Sequence, residues 1–165
     1  MKGSTFVSNF MEAYEVSHIF FIPVILPHAL AEIDKNTNIK RIMPHSEKSA
    51  VYMADGYARA SNRPGVIIAG QNGPGATNLV TGVAQAKAAF SPVVAIAGSY
   101  STKDKMEDAF QGLDQQSLFA PITKKTWTVK NSKIIPKIMS DAFNLAMKPR
   151  RGPVCLNLPR NISVS

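Results

Sequence analysis

Apolar residues along this chain fall into two alternating patterns. Short stretches that read as strands lie at 18–22, 39–43, 66–69, 91–97, 122–129 and 154–158, with Val66–Ala69 a continuous apolar run and Ser91–Ala97 nearly one. Such runs suit strands covered on both faces, as in a parallel sheet. Between them, apolar positions recur every three or four residues over 5–16, 26–34, 76–89, 114–119 and 132–147, the spacing of helices with one buried stripe. Pro136 is tolerable in the first turn of the last of these. The alternation predicts an α/β fold with three layers, a mostly parallel sheet and helices on both faces.

The middle of the chain carries the most specific pattern. Ser46 is a good N-cap type, and Ala50, Val51, Ala54, Tyr57 and Ala58 form an apolar stripe on a helix of roughly 13–15 residues that Asn62, Arg63, Pro64 and Gly65 terminate. Glu47 therefore stands in a first helical turn. One strand later, Gly73-Pro74-Gly75 opens a second helix, in which Leu79, Val80, Val83, Ala84 and Ala88 keep helical spacing. Both helix starts then face one ligand at the carboxyl edge of the sheet. The turn is not a dinucleotide fingerprint: Gly73-Pro74-Gly75-Ala76-Thr77-Asn78 lacks the third glycine, and no acid closes the next strand at Ala97-Gly98-Ser99. It is not a P-loop either, because Gly75 is followed by Ala76 instead of the required lysine.

Composition narrows the picture. The 165 residues, 45% hydrophobic and 18% charged, suit one globular domain with a sizeable core, so 1–165 reads as a single domain. An excess of 19 Lys+Arg over 11 Asp+Glu gives +8, but the basic residues are scattered along the sequence without a basic run or interleaved aromatics, which argues against nucleic acid. Cys155 stands alone, so no disulfide or cysteine zinc site is expected, and no His, Cys or carboxylate cluster has metal-ligand spacing. No apolar stretch reaches membrane-spanning length and the start lacks a signal peptide's apolar centre; a cytoplasmic protein is the expectation.

Glu47 with MADGYAR (53–59), GPGATNLVTG (73–82), AFQ (109–111) with Asp114, and GPVCLNLP (152–159) together resemble the pyrimidine-binding domain of thiamine-diphosphate enzymes, of the acetolactate synthase type, with sulfoacetaldehyde acetyltransferase as a near neighbour. These motifs occur in the family's order over almost the whole chain. The resemblance implies that Glu47 hydrogen-bonds the pyrimidine ring of the cofactor and favours its imino tautomer, which removes the proton from the thiazolium carbon. That role needs a carboxyl group able to donate, so burial must outweigh the helix dipole's preference for the charged form. It further implies that Gly73, Pro74, Gly75 and Asn78 line the pyrimidine site and that Gln111 reaches toward the reacting centre. By the same resemblance Lys124 would lie near the substrate entrance, although the following residue is Lys125 where relatives carry His. Each of these has a plainer alternative: a first-turn acid, a turn, a solvated loop amide. His18 and His28 read as structural, and His45, two residues before Glu47 instead of one, has no clear part.

Two departures from the family pattern stand out. Relatives carry Gly-x-Pro-Gly-Gly after the first strand, where this chain has Phe21, Ile22, Pro23, Val24 and Ile25, so bulky groups occupy a place where backbone should approach a ligand. The family holds the cofactor's diphosphate and its Mg²⁺ through a Gly-Asp-Gly motif in another domain, and no such motif occurs here. The expectation is half a site, completed by a diphosphate-binding domain or chain, in a homo-oligomer that decarboxylates a 2-oxo acid such as pyruvate and joins the product to a second carbonyl. A sulfoacetaldehyde acetyltransferase-like enzyme, suggested by Gln71-Asn72 and the closing LNLPRN, and a non-catalytic remnant of the fold are the alternatives.

Overall fold

In a computed structural model, which describes residues 3–163, six strands form one sheet of order β2-β1-β3-β4-β6-β5 in which every neighbouring pair is parallel. The strands are β1 (His18–Phe21), β2 (Lys40–Ile42), β3 (Gly65–Ile68), β4 (Val93–Ser99), β5 (Thr126–Thr128) and β6 (Val154–Pro159). The central ones, β3, β4 and β6, are buried along their whole length, which is why their sequences are mostly apolar. The helices are α1 (Gly3–Ala13), α2 (Pro27–Asn36), α3 (Glu47–Ser61), α4 (Pro74–Thr77), α5 (Val80–Ala88), α6 (Gln115–Phe119), α7 (Ile135–Met147) and α8 (Arg160–Ser163).

Alternate strand residues feed two different cores. Ile19, Val66, Ile68, Val94, Ile96 and Leu156 face α1, α2 and α7, whose Met11, Ile33, Met139 and Phe143 fill the space with large side chains. Phe20, Ile67, Ala95, Ala97 and Cys155 face α3, α4, α5 and α6, where Ala50, Ala54, Ala76 and Ala86 keep the layer thin. Small residues there let backbones nearly touch. A Cβ on Gly82 of α5 would fall 2.5 Å from Val51 Cβ of α3, and one on Gly65 would fall 2.2 Å from the Ala54 carbonyl.

Most expected elements are present, with three changes. The helix read over 76–89 is divided: α4 is one turn, and Leu79 N–H donates to the Ala76 carbonyl with 3₁₀ spacing before α5 begins at Val80. The strand read over 122–129 shrinks to β5, because Ala120–Ile122 forms a 3₁₀ turn around Pro121 and the Thr123 hydroxyl donates to the Phe119 carbonyl. The helix read over 132–147 begins with a 3₁₀ turn at Ser132–Ile134. No described helix is long and apolar enough to cross a membrane.

Candidate functional site

In a parallel sheet all carboxyl ends lie on one edge, so the loops after β2, β3, β4 and β6 converge there. The loop after β2 delivers Glu47. Ser46 adopts extended backbone and its Oγ accepts from the Ser49 N–H at 3.2 Å, starting α3 immediately after it. The loop after β3 delivers the Gly-Pro-Gly turn and then Asn78, the residue that closes α4. Asn78 Nδ2 donates to Glu47 Oε2 at 3.2 Å, joining residues 31 apart in sequence. The structure thus brings together the acid and the amide singled out from sequence. Glu47 is half-buried and Asn78 exposed, so the pair opens to the surface.

The glycines of the turn are explained by close packing. Gly73 has φ 67°, and a Cβ on it would meet the Gln111 carbonyl oxygen at 2.5 Å. A Cβ on Gly75 would press on the Gly70 backbone at 3.2 Å. Gln111 itself sits in the left-handed region at φ 59°, half-buried, with its backbone carbonyl against the turn. Asn72 ties the two loops, donating to the carbonyls of Phe110 at 2.8 Å and Gln111 at 3.3 Å. Asn72 therefore has a structural task.

Two residues that hold the site together, Gln115 and Asn157, were not singled out from sequence. Gln115, only 3% exposed, donates through Nε2 to the Gly98 carbonyl and to Asn157 Oδ1, both at 2.9 Å, and accepts from the Gly73 N–H at 3.3 Å. One amide thus fastens the turn to β4 and β6. The available signal was Asn157 itself, a polar residue within the apolar run Val154–Pro159. Next to Gln115, Asp114 N-caps α6 by accepting from the Ser117 N–H at 3.0 Å and from its hydroxyl, and these hydrogen bonds hold its carboxyl below the usual carboxylate range.

Lys124 goes elsewhere. It precedes β5 and so lies on the amino edge, where its ammonium donates to the Leu145 and Lys148 carbonyls at 2.6 and 2.8 Å and closes the end of α7. Burial and the nearby Lys148 charge lower its pKa from the ordinary lysine value. His18 lies tilted against Tyr57 with ring centroids 5.1 Å apart and its Nδ1 meets Ser17 Oγ at 2.9 Å; His28 and His45 are exposed. Among the described residues no group of three His, Cys, Asp or Glu is placed to hold a metal.

The loop after β1 bears out its bulk. Ile25 lies over Gly98, whose hypothetical Cβ would be 2.6 Å from Ile25 Cγ2, and Leu26 takes φ 52° while remaining buried. Between this loop and Phe110 a cavity of about 200 Å³ remains, lined by Val24, Leu26, Asn72, Tyr100 and Leu158 among others. Large apolar side chains are exposed on the segments that deliver the site: Met43 after β2 is 63% exposed, and Tyr52 and Met53 on α3 and Phe110 beside Gln111 are exposed as well.

Residues 1–118 match the family described as "Thiamine pyrophosphate enzyme, N-terminal TPP binding domain". The chain belongs to this family. Curated relatives agree. The domain is 42% identical to a "Probable acetolactate synthase large subunit" of Methanocaldococcus jannaschii over 98% of this chain and 27% of that protein. It is 34% identical to "Acetolactate synthase isozyme 1 large subunit" of Escherichia coli, over 99% of this chain and 29% of the relative. It is 35% identical to "Acetolactate synthase, chloroplastic" of Arabidopsis thaliana, over 98% and 24% respectively. This N-terminal thiamine pyrophosphate-binding domain thus spans about a quarter of the length of these relatives.

Proposed function

We propose that residues 1–165 form one pyrimidine-binding domain that supplies half of the active site of a thiamine-diphosphate-dependent carboligase acting on 2-oxo acids, as the acetolactate synthase relatives would. The observation that carries this reading is the Glu47–Asn78 hydrogen bond at the carboxyl edge, formed by the two residues the family pattern assigns to the pyrimidine. The donor set suits an aminopyrimidine: Asn78 fixes one carboxyl oxygen of Glu47, leaving Oε1 to face a ring nitrogen. When bound, thiamine diphosphate supplies a nucleophilic carbon that adds to the carbonyl of a 2-oxo acid.

This chain's residues bind and hold a proton. Glu47 shares a proton with the ring at its carboxyl oxygen, Asn78 keeps that carboxyl in plane, and Gly73, Pro74 and Gly75 form the wall that Gln115 fastens. Gln111, on the loop pinned by Asn72, is the residue assigned to the reacting centre. The half-burial of Glu47 means that exclusion of water is completed by another surface laid over Met43, Met53 and Phe110. We assign that surface to a diphosphate-binding domain or chain carrying Mg²⁺, in a homo-oligomer.

The test uses a reconstituted complex with such a domain. Glu47→Gln preserves size but removes the titratable proton, so proton exchange at the thiazolium carbon, measured by NMR before any substrate is added, should slow by a factor of roughly 10²–10⁴. Glu12→Gln and Glu32→Gln should leave it unchanged. An unchanged exchange rate in Glu47→Gln would make the acid a helix-start residue and end this mechanism. Product analysis with pyruvate then decides the carboligation.

A further inference from the structure

The charge scattered along the sequence is not scattered in space. At the amino edge of the sheet, opposite Glu47, the segments 62–64, 89–92, 120–125 and 148–153 lead into β3, β4, β5 and β6 and contain no acidic residue. They bring Arg63 beside β3, Lys124 and Lys125 beside β5, and Arg150 and Arg151 beside β6. Lys148 and, from the end of α5, Lys87 join the same row. Contacts between the segments make the row continuous. Arg151 hydrogen-bonds Asn62, next to Arg63; Lys124 reaches the Lys148 carbonyl; Lys87 Nζ donates to the Pro121 and Thr123 carbonyls at 2.8 and 3.3 Å. Among the described residues of the row, Arg63 alone pairs with a carboxylate, Glu15, at 3.2 Å. The long loop 100–114 on the carboxyl edge is the opposite case, with Lys103 and Lys105 set against Asp104, Glu107, Asp108 and Asp114. One edge therefore holds most of the +8 excess.

We propose that this amino edge is a docking surface for the acidic face of a folded protein. Two observations favour protein over nucleic acid. The aromatic groups in the row already carry a cation each, Arg150 over Phe90 at 5.1 Å and Lys125 over Trp127 at 4.9 Å, so neither ring is left bare as a stacking platform for bases. The donors of Lys87, Lys124 and Arg151 are bound to oxygens of this chain, which fixes these three charges in place instead of leaving them to fork onto phosphates. A fixed row of charge beside exposed Phe90 and Pro149 suits a preformed array of carboxylates. Lys148 lies close enough to Lys124 that its charge, after burial, lowers the Lys124 pKa.

The experiment compares the full chain with two triple variants carrying the same charge change: Lys125→Glu with Lys148→Glu and Arg150→Glu on the amino edge, and Lys103→Glu with Lys105→Glu and Lys133→Glu elsewhere. Binding of a labelled polyglutamate peptide and of polyuridylate of equal length is measured by fluorescence anisotropy at near-physiological salt. The expected result is a loss of at least tenfold in polyglutamate affinity for the first variant and under twofold for the second, with polyuridylate the weaker ligand throughout. Equal losses in both variants, absence of polyglutamate binding, or preference for polyuridylate would each overturn the proposal. Circular dichroism monitors folding. If the first triple variant fails to fold, Lys148→Gln with Arg150→Gln, which removes charge without reversing it, should still weaken polyglutamate binding at least threefold, and unchanged affinity there would overturn the proposal equally.

Discussion

Two residues show how burial sets chemistry. Cys155 is fully enclosed on the alanine-rich side of the sheet, and burial pushes its thiol well above the ordinary range. It should resist thiol reagents in the native protein and react stoichiometrically once urea unfolds the chain; rapid labelling under native conditions would contradict its placement. Gln115 satisfies the Gly98 carbonyl, Asn157 and the Gly73 N–H with one side chain. Gln115→Leu keeps the volume and leaves those partners unpaired, so urea denaturation should show a loss of about 2–4 kcal/mol. A change below about 0.5 kcal/mol would mean that water replaces the amide freely.

Helix ends provide the next level. Ser46→Ala removes the cap of α3 and should cost about 1 kcal/mol, read from the shift in the denaturation midpoint. Asp114 caps α6 with a carboxyl whose folded pKa is lowered from 3.8 by its hydrogen bonds to Ser117. A lowered folded pKa stabilises the native state above pH 3.8, and this stability is lost as pH falls through the folded value. Asp114→Asn, which caps without ionising, should therefore lose less stability than the wild type as pH falls below 3.8 in acid titrations followed by circular dichroism. These elements also show what was legible in the sequence. Strands buried on both faces and helices with one apolar stripe announce themselves by period, and Ser46, Glu47 and the Gly-Pro-Gly turn by local chemistry. Gln115 did not, because its partners Gly98 and Asn157 lie 17 and 42 residues away and become neighbours only through the order of strands. Lys124 misled for the same reason: its motif is local, whereas the edge of the sheet on which it lies is a property of the topology. The amino-edge charge was invisible because four separate segments contribute to it.

At the scale of the molecule, the proposed function gives this chain the pyrimidine end of the cofactor alone, and it predicts that the chain by itself binds thiamine diphosphate weakly. Titration calorimetry showing tight, Mg²⁺-dependent binding without a partner would contradict the half-site. The two unequal cores have a mechanical consequence. Where α3 and α5 press on each other and on β3 through Ala54, Gly65 and Gly82, almost no free volume remains to be squeezed out. The opposite side is filled instead by long side chains, Met11, Met139 and Phe143 among them, and methionine is the more adaptable filler. Hydrostatic pressure favours states that eliminate voids. In high-pressure NMR the amides of α1 and α7 should therefore shift and broaden before those of Val51, Ala54, Gly65 and Gly82, where the backbones of α3, α5 and β3 meet with nowhere to go.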